Sequence, residues 1–323
     1  MVSSHKVAII IPTFNSANYL KEAINSSIRQ VSNDSAETII VDDGSTDETK
    51  ALVAPYVDGR YVRYIRQDNA GPSAARNNGI VNSSSEFITF LDADDILLDG
   101  CVQRSVELLT EHSPLGLVFQ NYEVFDGSKT IQRSGVDAWS VFRSLDHTNV
   151  RDDCWIFKDP LAIHLVKYGY FMATSGITIR RAFLRDSGLF RAEFSYAEDL
   201  EFFSRYCLRC RSGYIDQVLS RVRVHVDSQI HSAARRLRNT KDHLEVSELQ
   251  LKEFGAYPHL TSALHGVVQK LIVDYSWGLL ETGRRQDAER ILFKYVRRYF
   301  WNVRLHKLIG RCLLSRVGLR RPM

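Results

Sequence analysis

No run in this 323-residue chain reaches the roughly 18 consecutive apolar residues that a membrane-spanning helix requires. The apolar stretch Val7–Ile11 stops at Pro12, too short for the hydrophobic region of a secretory leader. Cysteine is scarce, odd in number and irregularly spaced (Cys101, Cys154, Cys207, Cys210, Cys312), which argues against a disulfide framework. The lone C-x-x-C of Cys207 and Cys210 lacks the second pair of a zinc site, so two core thiols on a helix are expected. A cytoplasmic, reduced protein is the expectation. The patterns G-x-G-x-x-G, the P-loop, H-E-x-x-H and G-x-S-x-G are missing, which sets aside dinucleotide binding, P-loop phosphate binding, zinc proteolysis and serine hydrolysis. Internal repeats and low-complexity segments are absent as well.

What is present is a chain with 44% hydrophobic residues, enough for a sizeable core. β-Branched runs at Val7–Ile11, Glu37–Val41, Tyr61–Ile65 and Glu86–Leu91 alternate with helix-length stretches at about 16–31, 46–57, 72–83 and 99–112. That alternation predicts parallel strands joined by crossover helices, a doubly wound α/β sheet. Ser45-Thr-Asp-Glu48 reads as a capping box, and Pro72 suits a first helical turn. Further along, Leu117–Phe125 and Lys129–Arg133 flank the hairpin signal Asp126-Gly127-Ser128. Residues 134–175 read as irregular apart from a helix at 160–168. A strand at Gly176–Arg180, a helix near 197–210 and a strand at Ser220–Val226 follow. From Ser228 onward the pattern is helical, broken near Gly255–Pro258 and at Gly283.

In an open parallel sheet, ligands bind beyond the carboxyl ends of the strands. Three of the first four strand ends are polar there: Thr13-Phe-Asn15, Asp42-Asp43-Gly44-Ser45 and Asp92-Ala-Asp94-Asp95. Carboxylates packed this closely repel one another unless a cation or hydrogen-bond donors lie among them. Asp92 and Asp94 suit a hard divalent ion completed by phosphate oxygens; the plainer alternative is that Asp94 or Asp95 caps the next helix. If Ser45 and Glu48 cap their own helix, Asp42 and Asp43 are left without a structural task, and a carboxylate at that strand end suits a ribose or base. Arg76, one turn into its helix, is either a ligand contact or a solvated charge. Glu198 and Asp199 open a helix, where acids also complement the dipole; facing the acidic rim, they offer a general base. His225 is either a structural imidazole or a metal ligand.

The ordered motifs Val-Ala-Ile-Ile-Ile-Pro12-Thr13-Phe-Asn15, Ile-Ile-Val-Asp42-Asp43-Gly-Ser45, Asn69-Ala-Gly-Pro-Ser-Ala-Ala-Arg76-Asn and Phe-Leu-Asp92-Ala-Asp94-Asp95 resemble those of the family 2 glycosyltransferases. Glu198-Asp199 and His225 follow in that family's order, and the similarity spans roughly residues 5–230. The resemblance implies a GT-A type fold, mostly parallel and doubly wound, with a C-terminal helical extension. It also implies an inverting, metal-dependent sugar transfer from a nucleotide-diphosphate sugar, most simply a UDP-sugar, to an acceptor hydroxyl. By that likeness Pro12, Thr13, Asn15 and Asp43 line the nucleotide with Arg76 near them. Asp92 reaches the ribose or the metal. Asp94, with Asp92 and His225, holds Mn²⁺ or Mg²⁺, and Asp199 is the base, with Glu198 beside it as the other candidate. The domains so implied are a catalytic unit over 1–230 (nucleotide half 1–115, acceptor half 116–230) and a helical region over 231–323. A non-catalytic nucleotide-sugar-binding or membrane-surface scaffold of the same fold is the rival reading, and the intact acidic set argues against it. A nucleotidyltransferase is disfavoured because the glycine-rich basic loop expected near the first strand is missing.

The net charge of +4 averages two unlike regions. Residues 284–323 hold 12 Lys and Arg against 2 Asp and Glu, which leaves 30 against 36 in the rest of the chain. In this tail Ile291, Leu292, Tyr295, Val296, Tyr299, Phe300 and Val303 recur at helical spacing, with Arg290, Lys294, Arg297, Arg298, Arg304 and Lys307 mostly off that stripe. A basic amphipathic helix on an anionic membrane is one reading; ordinary packing is another. Nucleic acid is not expected as a partner, because the aromatics share the stripe with aliphatic residues. The expected setting is therefore the inner face of a membrane, with a saccharide or lipid-linked acceptor in cell-surface polysaccharide or glycolipid synthesis.

Overall fold

Val7–Thr13 (β1) and Ala36–Asp42 (β2) are buried along their whole length, as unalternated β-branched runs must be when helices cover both faces of a sheet. The computed structural model describes residues 6–30, 35–225, 233–300 and 303–316. The chain divides into two units, Met1–His225 and Val226–Met323. The expected boundary at 230 lies outside the described residues.

The first unit continues with α1 (Ala17–Gln30), α2 (Thr49–Val53), β3 (Val62–Arg66), α3 (Pro72–Val81), β4 (Phe87–Phe90), β5 (Ile96–Leu97) and α4 (Cys101–Glu111). Then come β6 (Leu115–Phe125), β7 (Thr130–Gln132), β8 (His147–Arg151), β9 (Cys154–Phe157), α5 (Leu161–Tyr168), β10 (Thr178–Arg180), α6 (Leu184–Ser187), α7 (Glu198–Cys207) and β11 (Arg211–Arg223). The sheet runs β3-β2-β1-β4-β10-β6-β11-β9-β8, with β5 on β11 and β7 on β6. Strands β1 to β4 pair in parallel, as do β6 and β11, whereas β10 is antiparallel to both of its neighbours. Helix α3 lies tight on β1 because Gly79 has no side chain; a Cβ there would come within 2.6 Å of Ile10.

Several expectations need correcting. The stretch read as irregular contains the β8–β9 hairpin at the sheet's edge. The last strand begins at Arg211, not Ser220, because bulges around Ile215–Ser220 break the alternation that marks a strand. The capping box does not form: α2 starts at Thr49, and Ser45 Oγ instead accepts the Asn15 backbone N–H at 2.9 Å. Asp47 takes over, accepting from Thr49 N–H and Ala17 N–H, each at 3.1 Å. Val226 lies outside the described residues. Cys207 is a free, buried thiol and Cys210 a free, half-buried one.

The second unit is helical: α8 (Ala233–Glu253), α9 (Pro258–Glu281), α10 (Arg285–Val296) and α11 (Val303–Arg316). Among the described residues no helix is long and apolar enough to cross a membrane. The apolar stripe of the tail divides. Leu292, Tyr295 and Tyr299 are buried, and the Tyr299 hydroxyl meets His265 Nδ1 of α9 at 3.0 Å. Phe300 and Val303 point to solvent, as does Phe293 from outside the stripe.

Candidate active site

Strand order reverses between β1 and β4, since β2 and β3 extend one way from β1 and β4 lies on its other side. The crevice at such a switch point is where an open α/β sheet takes its ligand. Thr13–Asn15 leave β1 there and Asp92–Asp95 leave β4 there.

The first wall is a braced pair of loops. Asn15, at φ 50°, accepts the Thr46 N–H on its side-chain oxygen at 2.7 Å, and Thr13 O accepts the Asp43 N–H at 2.8 Å. Both aspartates have structural tasks, contrary to expectation. Asp42 is fully buried, accepts the Ser45 N–H at 2.7 Å, pairs with Arg66 at 3.0 Å and takes the Tyr64 hydroxyl. Burial alone would raise its pKa, but these hydrogen bonds and the Arg66 charge outweigh it and hold the carboxyl below its ordinary range. Asp43 accepts from Gln67 Nε2 (2.7 Å), Ala70 N–H (2.9 Å) and Gly71 N–H (2.8 Å), so it shapes the loop into α3. Pro12 is buried within β1, and the Thr13 hydroxyl is buried without a hydrogen-bond partner among the described residues.

The second wall is built around Arg76, which is buried on α3. Its Nη2 lies 2.9 Å from Asp92 Oδ1 and its Nη1 3.1 Å from Glu198 Oε1. Burial opposes the guanidinium's charge, yet Asp92 and Glu198 together raise its pKa. Arg76 is therefore neither solvated nor free to turn. Glu198 and Asp199 sit on the first turn of α7, and the residue before them, Ala197, has φ 60°. Among the described residues only Asn15 and Ala197 are non-glycine residues at positive φ, and they stand one on each side of this crevice. A conformation costing about 1 kcal/mol or more marks places where function constrains the backbone. Glu198 takes the Arg76 ion pair, and Asp199 makes none with any described residue, feeling the Arg76 charge only as a lesser, lowering influence. Burial first and the Glu198 charge second push its carboxyl up to about 7.

Aromatic packing fixes this turn. Phe190 stacks on Phe202 with centroids 3.8 Å apart, and Asn77 exchanges two hydrogen bonds with the Phe190 backbone at 2.8 and 2.9 Å. Glu201, one turn on, is structural: it is buried and takes both sides of the Arg205 fork at 2.7 and 2.8 Å.

Between the walls, Asp94 Oδ2 lies 3.1 Å from His225 Nε2, and the His225 ring stacks on Tyr19 at 4.7 Å. Burial, then Asp92, raises the Asp94 carboxyl. Helix α4 begins at Cys101 behind Gly100, so neither Asp94 nor Asp95 caps it. Asp95 instead faces inward, accepting from the Ser175 hydroxyl and, at 2.8 Å, from Arg223 N–H. Among the described residues no three His, Cys, Asp or Glu side chains converge as a complete metal cage. The donor chemistry still fits a hard divalent ion: a carboxylate and an imidazole already paired, a second carboxylate nearby, and a raised Asp94 that a cation would relieve.

A model described as glycosyl transferase family 2 matches residues 8–169. The chain belongs to that family. An uncharacterized glycosyltransferase of Rickettsia prowazekii is 27% identical over 75% of this chain and 71% of its own length; another of Rickettsia typhi is 29% identical over 71% and 66%. Relatives in Rickettsia conorii and Rickettsia felis are about four times the aligned length, so the chain covers only 25% and 24% of them. Among solved structures, Staphylococcus aureus TarS 1–349 in complex with UDP-GlcNAc aligns over 98% of this chain and 93% of its own, with TM-score 0.63 and 17% identity. The mannosyltransferase PcManGT of Pyrobaculum calidifontis, in complex with GDP-Man and Mn²⁺, covers 97% and 81% with TM-score 0.60 and 16% identity. These likenesses carry the GT-A fold expected from the motifs.

The structure also brings in residues that the family 2 motifs do not mark. Ser175 accepts the Asp92 N–H at 3.0 Å while donating to Asp95, and Arg223 donates to Asp94 O at 2.9 Å. Tyr170 is held by Thr174 at 3.0 Å, and its hydroxyl pKa is raised by burial and by the Asp199 charge. A serine before a glycine and a tyrosine in an irregular stretch carry no sequence signal. Only their distant partners reveal them.

Proposed function

We propose that this glycosyltransferase moves a sugar from a UDP-sugar to an acceptor hydroxyl with inversion, using Asp199 as general base. The observation that carries this is the division of labour between adjacent acids. Glu198 is ion-paired to Arg76, whereas Asp199 makes no ion pair with any described residue and is raised to about 7 despite the nearby Arg76 charge, near the pH at which a base is most effective. Asp199 accepts the acceptor's proton as that oxygen bonds to the anomeric carbon. The bond from that carbon to the donor phosphate oxygen breaks on the opposite face, and the leaving nucleoside diphosphate keeps the electron pair. One displacement inverts the centre.

The braced loops of Pro12, Thr13, Asn15 and Asp43 are assigned to the nucleotide; the unpartnered Thr13 hydroxyl supports that assignment. Arg76 holds Asp92 and Glu198 in register. Asp94 and His225, with Asp92, would hold Mn²⁺ or Mg²⁺, which when bound supplies Lewis-acid stabilisation of the departing diphosphate. Residues 116–230 are assigned to acceptor binding. The acceptor is taken to be a saccharide or lipid-linked saccharide at the inner face of the membrane, in polysaccharide or glycolipid synthesis, which the basic tail supports.

A thermal-shift and hydrolysis screen of UDP- and GDP-sugars, with and without Mn²⁺, tests the reading, since a ligand of the native state raises Tm. A UDP-sugar should raise Tm and be hydrolysed slowly in the presence of the metal. Binding without turnover would favour a scaffold, and no response to any donor would end the proposal.

A further inference from the structure

The helical unit carries a surface to which none of the crevice residues belongs. After Glu289 the sequence contains no Asp or Glu up to its end at Met323. Within that stretch Phe293 is 51%, Phe300 56% and Val303 66% exposed. Exposed apolar groups rimmed by polar ones mark interaction surfaces. They are not stray members of the core, because Leu292, Tyr295 and Tyr299 supply the buried face of the same segment.

Spacing puts the exposed groups together. Arg290, Phe293, Lys294 and Arg297 recur at three and four residues, one face of α10 and its continuation. Tyr299 N–H donates to Tyr295 O at 3.0 Å, so the helical turn persists past Val296 and keeps Phe300 near that face. The His306 ring meets Phe300 edge-on at 5.3 Å, which brings the start of α11, with Val303, Arg304 and Lys307, near it. Arg297, Arg304 and Lys307 are exposed and make no ion pair with any described residue. The result is apolar groups set among uncompensated cations.

We infer that this face docks on an anionic lipid surface, with Phe293, Phe300 and Val303 entering the headgroup–acyl boundary while Arg297, Arg304 and Lys307 meet lipid phosphates. This names the residues by which the proposed membrane setting would be achieved and rests on that reading only for its biological sense. A bilayer satisfies both halves of the surface at once: hydrocarbon takes the apolar groups, anionic headgroups take the charge, and long basic side chains reach outward from a shallow burial depth. Nucleic acid would satisfy the charge but leave Val303 in water.

Cosedimentation of the full chain with phosphatidylcholine vesicles, pure or doped with phosphatidylglycerol, tests the inference. The chain should partition onto the doped vesicles and far less onto the pure ones, with binding weakened by salt. F293S/F300S should lower partitioning by about tenfold or more, since each phenylalanine forfeits its apolar burial. R297E/R304E should abolish the preference for phosphatidylglycerol. All these side chains are solvent-exposed, so circular dichroism and Tm should match the wild type, and so should donor hydrolysis without vesicles. Equal vesicle binding by wild type and both variants would overturn the inference. So would absence of wild-type binding, or displacement from vesicles by a stoichiometric single-stranded oligonucleotide. Hydrolysis of a nucleotide sugar in solution is read separately, so failure of the catalytic proposal is distinguishable from failure of this one.

Discussion

Arg76 Nη1 donates to Glu198 Oε1 at 3.1 Å across 122 positions of sequence, while the same guanidinium holds Asp92. The positive charge is buried between two acids, one at the end of β4 and the other on the first turn of α7. Removing it as Arg76→Ala leaves two carboxylates facing each other in a partly dry crevice, which should cost about 3–5 kcal/mol of stability. Arg76→Lys should recover little, because one ammonium does not span both partners. Urea denaturation measures both; an unchanged midpoint in Arg76→Ala would contradict the bridging role.

Asp199→Asn should bind donor nearly as the wild type does and turn over about 10²–10⁴-fold more slowly. Glu198→Gln should act differently, loosening Arg76 and weakening donor affinity along with rate. In the wild type, kcat/KM should climb with pH and level off above about 7, where Asp199 has lost its proton. Steady-state kinetics across pH separates the two acids, and a flat profile in the wild type would move the base elsewhere.

Stability should show the reverse of that benefit. The folded-state pKa of Asp199, about 7, lies above the unfolded value of about 3.9, so the folded chain holds the extra proton between them. Its contribution to stability therefore falls as pH rises from about 4 and reaches its full penalty above 7. Asp199→Asn removes that penalty. Thermal melts should find the variant more stable than the wild type at pH 8 and equal to it near pH 4; a variant less stable at pH 8 would refute the burial argument.

Asp94→Ala should remove the Mn²⁺-dependent part of the donor-induced Tm shift, whereas Asp95→Asn should mainly lower the Tm of the free protein. The contrast follows from orientation: Asp94 meets His225 in the crevice, and Asp95 is tied inward to Ser175 and Arg223. A full metal response in Asp94→Ala would leave its proposed role empty.

The parallel half of the fold was legible because its physics is local. Val7–Ile11 and Glu37–Val41 announce buried strands by composition alone, and Pro72 opens α3 where a proline should. The acids at the strand ends were visible for the same reason. What remained hidden was set by partners far away in sequence. Whether Ser45 caps α2 depends on Asn15, and whether Asp42 is spare depends on Arg66. Glu198 and Asp199 are chemically alike in sequence, and only Arg76 separates them. In the tail, helical spacing found the apolar residues but did not tell Tyr299, which meets His265 of α9, from Phe300, which faces water.

The latches that define the rim join residues 113, 122 and 131 positions apart: Asn77 to Phe190, Arg76 to Glu198 and Asp94 to His225. Each must close a long loop before it repays any entropy, so contacts of this kind form late in folding. The strands that lead to Asp43 and Asp92 pair with β1 at shorter range, Val7 with Ala36 and Val7 with Phe87. A nascent chain thus acquires its nucleotide-side sheet well before the two acids of α7 arrive, and the machinery for sugar transfer assembles only once nearly the whole first unit has been made.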